Sequence, residues 1–531
     1  MHLIWLKRDL RLDDHGPFAE AARLSAQGKF VLAIFVYEPS VWNAPDADAS
    51  HLAFVDESLD ELQTALEVIG GRLVRRVGEM TEVLATLHAT QPIESLLAHA
   101  ETGNAITYAR DRAVAHWCSA HGVAFREWAQ NGVMRPNPGR DGWATRWEAF
   151  MRSERHPMPA MLRSPPRSAV PDAEPGMSQS LGLGPDTRAA LRQRGGSVQA
   201  AACLDSFLRQ RGRDYQRTMG SPVEAWETCS RLSPHLAWGT IGVRRAWQGA
   251  QRRLGQLAAA NIVDMTGEDL RAWRGSVRSF ASRLSWHCHF MQKLEDEPEI
   301  ESRCMLRCAE GLRSGLDPSL AAERLAAWQQ GRTGYPMVDA CMRALTATGW
   351  VNFRMRAMLV SFASHHLWLD WRSFAPWLAR QFLDYEPGIH YSQIQMQSGT
   401  TGINTLRIYS PRKQVEDHDP TGVFIRKWVP DLARVPDEFL AEPALMPDLL
   451  QQMIGCRVGG ESAFADTCEY PAPIVEHRAA YRHAQGQLFA LRNTPQARIE
   501  SKAVYQKHGS RKRSGKHSTS ATSRSRYRQA P

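Results

Sequence analysis

Arg283, Trp286, His287 and Phe290 recur at the i, i+3, i+4 and i+7 spacing that places side chains on one face of a helix. A guanidinium, an indole and an imidazole side by side can meet a nucleobase or another flat ring by stacking and hydrogen bonding. A core tryptophan flanked by surface polar residues fits the same spacing. His289 falls on a different face from His287, so a two-histidine metal site is not expected, and no metal ligands are assigned. A second stretch, residues 229–239, sets Cys229, Ser230 and Ser233 before a proline and an apolar run. It reads as a helix start whose free backbone N–H groups can receive phosphate, or as an ordinary cap. A third, residues 328–356, ends with Arg354 and Arg356 inside an apolar helical pattern. If buried, they need anionic partners, for which Asp384 and Glu386 are candidates; on a solvated face they need none. The fourth, residues 388–404, is polar and glycine-rich, and is expected to be an irregular loop that either lines a ligand or only connects.

The elements that must position these residues divide in two. Up to residue 134, strand and helix signals alternate. Residues 2–5, 30–37 (FVLAIFVY), 72–77, 93–99 and 123–128 read as strands, and 18–24, 53–69 and 82–87 as helices. Continuous apolar runs suit parallel strands buried on both faces, so a doubly wound α/β sheet is expected. Residues 135–199, rich in Pro and Gly, read as a connector between domains. Residues 200–491 lose the strand signals and show helical spacing at 320–330, 336–348 and 355–368, which predicts an all-α domain. Residues 492–531 read as a basic, disordered tail.

Of the formal charge of +9, the tail explains the whole excess: residues 501–531 hold nine Lys and Arg and no acid. The folded body is therefore near neutral, and a nucleic-acid groove would have to be a local patch. No apolar run reaches the ~18 residues of a membrane span. The N-terminus lacks the order of a signal peptide, so a cytoplasmic protein is expected. The nine cysteines form no C-x-x-C pair, which argues against a disulfide framework or a zinc ribbon.

Taken in order, several motifs resemble those of the photolyase/cryptochrome family: Trp5-Leu6-Lys7-Arg8-Asp9-Leu10-Arg11, Ser230-Arg231-Leu232-Ser233-Pro234, Gly331-Arg332-Thr333-Gly334-Tyr335-Pro336-Met337-Val338-Asp339-Ala340, Arg407-Ile408-Tyr409-Ser410-Pro411, and Phe424-Ile425-Arg426-Lys427-Trp428. The resemblance spans residues 1–434. It implies an antenna-type α/β domain joined to a helical domain that holds FAD. It implies FAD contacts from Tyr215, Cys229, Ser230, Ser233, His287, Arg356, Asp384, Glu386 and His390. Trp286, Arg283, His390 and Trp371 fall at the positions expected to act on the lesion or the flavin. The implied activity is a blue-light-dependent carbon–carbon lyase that repairs pyrimidine photoproducts in single- or double-stranded DNA, as a monomer without membrane attachment. A second antenna chromophore of folate, flavin or deazaflavin type is compatible with the N-terminal domain. The alternative is a photoreceptor without repair.

The chain also departs from the family pattern. Arg283 stands where repair enzymes for cyclobutane dimers usually carry a glutamate. Asn352-Phe353 replaces a His-containing pair, and Ile394-Gln395-Met396 replaces a Trp-Gln-Trp segment. Of the usual three-tryptophan electron path only Trp371 is matched, with Trp368, Trp377, Tyr385 and Tyr391 as candidate substitutes. His390 replaces an asparagine near the flavin N5, and its charge is expected to respond to pH.

Overall fold

The computed structural model describes residues 1–171, 181–259, 266–460 and 468–510. Strands β1 (His2–Leu6), β2 (Val31–Tyr37), β3 (Leu73–Val77), β4 (Ser95–Ala100) and β5 (Ala124–Ala129) pair in the order β3-β2-β1-β4-β5, every pair parallel. β1 and β2 are buried at every position, which requires cover on both faces of the sheet. Alternate side chains sort to the two faces. Ile4, Leu6, Ala33 and Phe35 join Phe18 and Phe54 in one core, and Leu3, Trp5, Leu32 and Ile34 join Leu84 and Val114 in the other. Helices Gly16–Ala26 and Ala49–Val68 therefore cover one face, and Met80–Thr90 and Ala105–Ala120 cover the other. The strand order reverses between β1 and β4, and in such sheets a crevice opens beyond the carboxyl ends at that point.

The connector carries the helix Trp143–Arg152 before it runs back over the α/β half. There the Leu162 N–H donates to the Ile69 carbonyl (2.7 Å) and the Val31 N–H to the Arg163 carbonyl (2.9 Å). Trp147 packs edge-on against Trp247 (6.2 Å), in a core shared with helices Val243–Ala259 and Gly267–Asp296.

The rest is helical and has its own large core around helices Pro336–Thr348, Phe353–Ser361 and Trp371–Gln381. It also holds a short parallel strand pair, β6 (Cys456–Val458) with β7 (Cys468–Tyr470). Three expectations are corrected. The helix expected over 355–368 ends at Ser361 and passes into a π-helical turn, Phe362–His366; Trp368 then turns the chain with φ 57°. The loop expected over 388–404 is mostly a helix, Pro387–Ser398, opened by Pro387 and closed by Gly399 at φ 78°. The tail expected from 492 contains a helix, Pro495–His508. Thr494 accepts the Ala497 N–H as its cap, and Val504 and His508 are buried. His508 Nε2 lies 2.6 Å from Glu297, and the Glu500 carboxylate accepts the Cys308 N–H at 2.8 Å. Composition hid the Thr-Pro helix start. Residues 511–531 lie outside the described residues. Among the described residues no helix is long and apolar enough to cross a membrane.

Candidate functional site

The Gly267–Asp296 helix opens on a capping box between Thr266 and Asp269 and carries Arg283, Trp286 and His287 on one side, His287 lining a cavity with Met291 and Glu386. Trp286 is 39% exposed at the rim, its edge 5.0 Å from the His289 ring. Arg283, also exposed, approaches the Met219 sulfur (3.8 Å) and the Tyr215 hydroxyl. Tyr215 is buried, which pushes its hydroxyl up to about 12. His287 Nε2 lies 2.8 Å from Glu386 Oε2. Burial opposes charge on the His287 ring, but Glu386 and Cys288 outweigh it and raise the imidazole well above its ordinary value.

Residues 229–239 supply the next wall. The hydroxyl cap expected here is absent: the Ser233–Ala237 helix has Leu232 at its cap position, and Ser230 Oγ accepts only the Leu232 N–H (3.4 Å). Arg231 controls this segment instead, with φ 59°, in the left-handed region that non-glycine residues rarely occupy. Its guanidinium lies over Trp350 (3.9 Å) and Trp226 (4.7 Å), and its Nε–H donates to Gln193 Oε1 (3.0 Å). Among the described residues it meets no carboxylate, and burial lowers it to about 10. Burial raises the neighbouring Cys229 thiol to about 11, against the pull of Arg231, Arg211, Arg356 and Arg283. Four guanidiniums thus surround one thiol.

Arg356 finds the partner expected from sequence. Its two terminal nitrogens donate to the two Asp384 oxygens at 2.9 and 2.8 Å, and its Nε–H donates to the Val351 carbonyl (2.8 Å). Such a fork is rigid and charge-assisted. Nearby, buried Asn352 Oδ1 and Ser392 Oγ have no hydrogen-bond partner among the described residues. A guanidinium without a carboxylate, orphaned polar atoms and a rim indole fit a large anionic ligand with a flat ring, as FAD is.

Two predicted residues behave differently. His390 is buried, and its Nε2–H donates to the Ala375 carbonyl (2.9 Å); burial lowers it to about 4, so the ring stays neutral near pH 7 and the expected pH response shifts into acid. Trp371 stands behind the cavity, its indole N–H directed at Cys304 (3.5 Å) and its ring 6.3 Å from Tyr391. Tyr391 in turn touches His390 (5.2 Å), which touches Tyr385 (5.2 Å). Of the other substitutes, Trp377 packs with Trp328 (5.8 Å) and Trp368 with His483 (4.7 Å), away from this chain of rings.

Sequence reasoning allowed a second chromophore in the N-terminal domain but named no residues of the crevice at the strand ends. Trp5, Arg8, Glu38, Trp42, Glu101 and Arg110 line it, and Trp238 closes it from the helical side. Its signal was present in the β1 motif and the first residues after β2 and β4. Below it, Asp9 Oδ2 meets His15 Nε2 (3.0 Å) and His99 Nδ1 (2.8 Å), the one group of three metal-capable side chains that converges among the described residues. Burial works against the Asp9 carboxylate, but these two histidine contacts hold it well below the usual range.

Comparison with known proteins gives two matching family profiles. Residues 2–142 match DNA photolyase, and residues 280–489 match the FAD binding domain of DNA photolyase. A deoxyribodipyrimidine photo-lyase of Synechococcus is 27% identical over 532 residues, covering 94% of this chain and 99% of the relative. A cryptochrome DASH of Gloeobacter violaceus is 27% identical over 497 residues, covering 89% and 93%. The fold superposes on a bacterial class III photolyase of Agrobacterium tumefaciens with a TM-score of 0.76 at 24% identity, covering 93% of this chain and 98% of that one.

Proposed function

The chain belongs to the photolyase/cryptochrome family, and we propose that it uses FAD and blue light to repair pyrimidine photoproducts in DNA. The observation that carries the reading is the gathering of Arg231, Arg283 and Arg356 around Cys229, with Asp384 the one carboxylate paired to them among the described residues and Trp286 exposed on the same helix as Arg283. When bound and reduced, FAD supplies the light-driven electron for such chemistry. The protein's residues supply the setting. Arg231 and Arg283 attract anionic groups, and the Arg356–Asp384 fork would offer a bound flavin a fixed ion pair. His287 keeps a proton at Nε2 against Glu386. Neutral His390 offers a bare Nδ1, because its Nε2–H is used by the Ala375 carbonyl. Trp286 offers a stacking face to an extruded base, which costs less to flip when damaged. The strand-end crevice is the place for a second chromophore.

A photoreceptor without repair is the second reading. It is favoured by Arg283, a donor where lesion recognition would use an acceptor. The test is to reduce the bound flavin chemically and illuminate the protein with oligonucleotides carrying either a cyclobutane dimer or a (6-4) product. Restoration of intact bases in light but not in darkness supports the lyase. No repair of either lesion by flavin-loaded protein rejects it in favour of the photoreceptor.

A further inference from the structure

Asp384 and Glu386 stand on a short loop, residues 382–386, that other parts of the chain hold from behind. His51 Nε2–H donates to the Phe382 carbonyl (2.8 Å), the Trp238 indole N–H to the Leu383 carbonyl (2.9 Å), and Arg8 to the Tyr385 carbonyl (2.7 Å). The Tyr385 hydroxyl donates to Asp46 (2.6 Å). His51, Arg8 and Asp46 belong to the α/β half, and Trp238 follows the phosphate-like segment 229–237. The loop is therefore sandwiched. Its carbonyls are fixed on one side, and its two acid side chains reach Arg356 and His287 on the other.

The clamp is itself tightly built. Trp238 stacks on Trp42 (6.2 Å) and carries the Arg8 guanidinium over its ring (4.2 Å). Gly239 lets this corner close: it sits at φ 67°, and a Cβ there would fall 2.1 Å from the Arg8 carbonyl oxygen. These same side chains line the strand-end crevice.

We propose that Trp238, His51 and Arg8 are positioning residues. They fix the 382–386 loop and thereby set Asp384 against Arg356 and Glu386 against His287. The inference rests on the cofactor reading above, because it is the flavin-side cavity whose acids are placed. A carbonyl that loses a buried donor is left unsatisfied. The loop then gains alternatives, and the acids lose their single geometry.

Trp238→Phe tests this, because it keeps an aromatic ring against Trp42 and Arg8 and removes the N–H together with the pyrrole half of the indole. Hydrogen exchange of the protein without added flavin reads the loop through the Leu383 and Tyr385 amides, which donate to Gly349 (3.0 Å) and Phe382 (2.9 Å). Both should exchange about tenfold faster in Trp238→Phe, with the β-sheet amides unchanged. FAD affinity should fall about tenfold, and that loss should shrink to about twofold in an Asp384→Asn background, because the clamp acts through Asp384. His51→Ala should repeat the effect, and His51→Gln, which can still donate, should restore most of it. Unchanged Leu383 and Tyr385 exchange in Trp238→Phe, or equal losses of FAD affinity with and without Asp384, would overturn the proposal. If the wild-type protein takes up no FAD, the cofactor reading fails, and the exchange measurement still decides the clamp.

Discussion

In the strand-end crevice Arg110 meets Glu38 (3.2 Å), Glu101 (2.6 Å) and Asp111 (2.8 Å), and Lys7 meets Asp111 (3.0 Å), whereas in the flavin-side cavity Arg231 meets only an amide oxygen and two indoles. Both sites are rich in arginine and tryptophan, and both lie where the two halves of the chain meet. They differ in what balances the cations. In the crevice the carboxylates belong to the protein, and burial even raises Glu38 to about 7. In the cavity, Asp384 pairs with Arg356, whereas Arg231 makes no ion pair among the described residues and feels Asp384 only from a distance. A site that balances its own charge can accept a ligand chosen by shape and ring stacking. A site that leaves cations unanswered calls for an anion. Composition alone does not separate the two.

The contrast predicts crossed effects of mutation. Removing Arg110 strips Glu38 of its ion-pair partner and leaves Asp111 with Lys7 and Glu101 with the more distant Arg8, so Arg110→Ala should cost about 3–5 kcal/mol of unfolding free energy in denaturant titration. The FAD affinity of the molecules that remain folded should be unchanged. Removing Arg231 orphans no acid. Arg231→Ala should therefore leave stability within about 1 kcal/mol but weaken FAD binding about 30- to 100-fold in equilibrium titration, the worth of a charge-assisted contact. If both variants lose stability alike and bind FAD alike, the distinction between the two sites collapses.

Gly239→Ala should cost about 2 kcal/mol, because the new Cβ meets the Arg8 backbone at a positive φ. It should disturb both sites, since Trp238 belongs to the wall between them. An unchanged melting curve would show that the corner relaxes freely.

The finest test is pH dependence, whose sign differs between two neighbouring histidines. His390 is held neutral, with its value lowered to about 4 by burial. Its contribution is complete above the ordinary value near 6.5 and is lost as pH falls from there toward 4. His287 is raised. Its contribution is complete below the ordinary value and is lost as pH climbs through the raised one. The stability difference between wild type and His390→Asn should therefore narrow in acid, and that between wild type and His287→Asn should narrow in alkali. Parallel pH–stability curves for all three proteins would contradict both assignments.

Local patterns carried much of this into the sequence. The FVLAIFVY run marked a strand buried on both faces, and the spacing from Arg283 to Phe290 marked one helix face. The sequence offered Asp384 and Glu386 as partners for Arg356, and the fold chose Asp384. The clamp was not legible, because His51, Trp238 and Arg8 meet residues 382–385 over long separations and through backbone carbonyls, which leave no mark on residue type. The helix at Pro387–Ser398 was hidden by polar composition: its side chains are buried around hydrogen bonds rather than arranged as an apolar stripe. Arg231 sat inside a recognised motif, but its left-handed backbone and its stacking between two tryptophans depend on tertiary contacts.

The most direct test of the account is the flavin content of protein purified and reconstituted with FAD, compared among wild type, Arg231→Ala and Arg110→Ala. The account predicts one FAD per wild-type chain, a large loss in Arg231→Ala at preserved stability, and retention by whatever fraction of Arg110→Ala stays folded. Full flavin content in Arg231→Ala, with loss in folded Arg110→Ala, would contradict it and move the principal cofactor to the strand-end crevice.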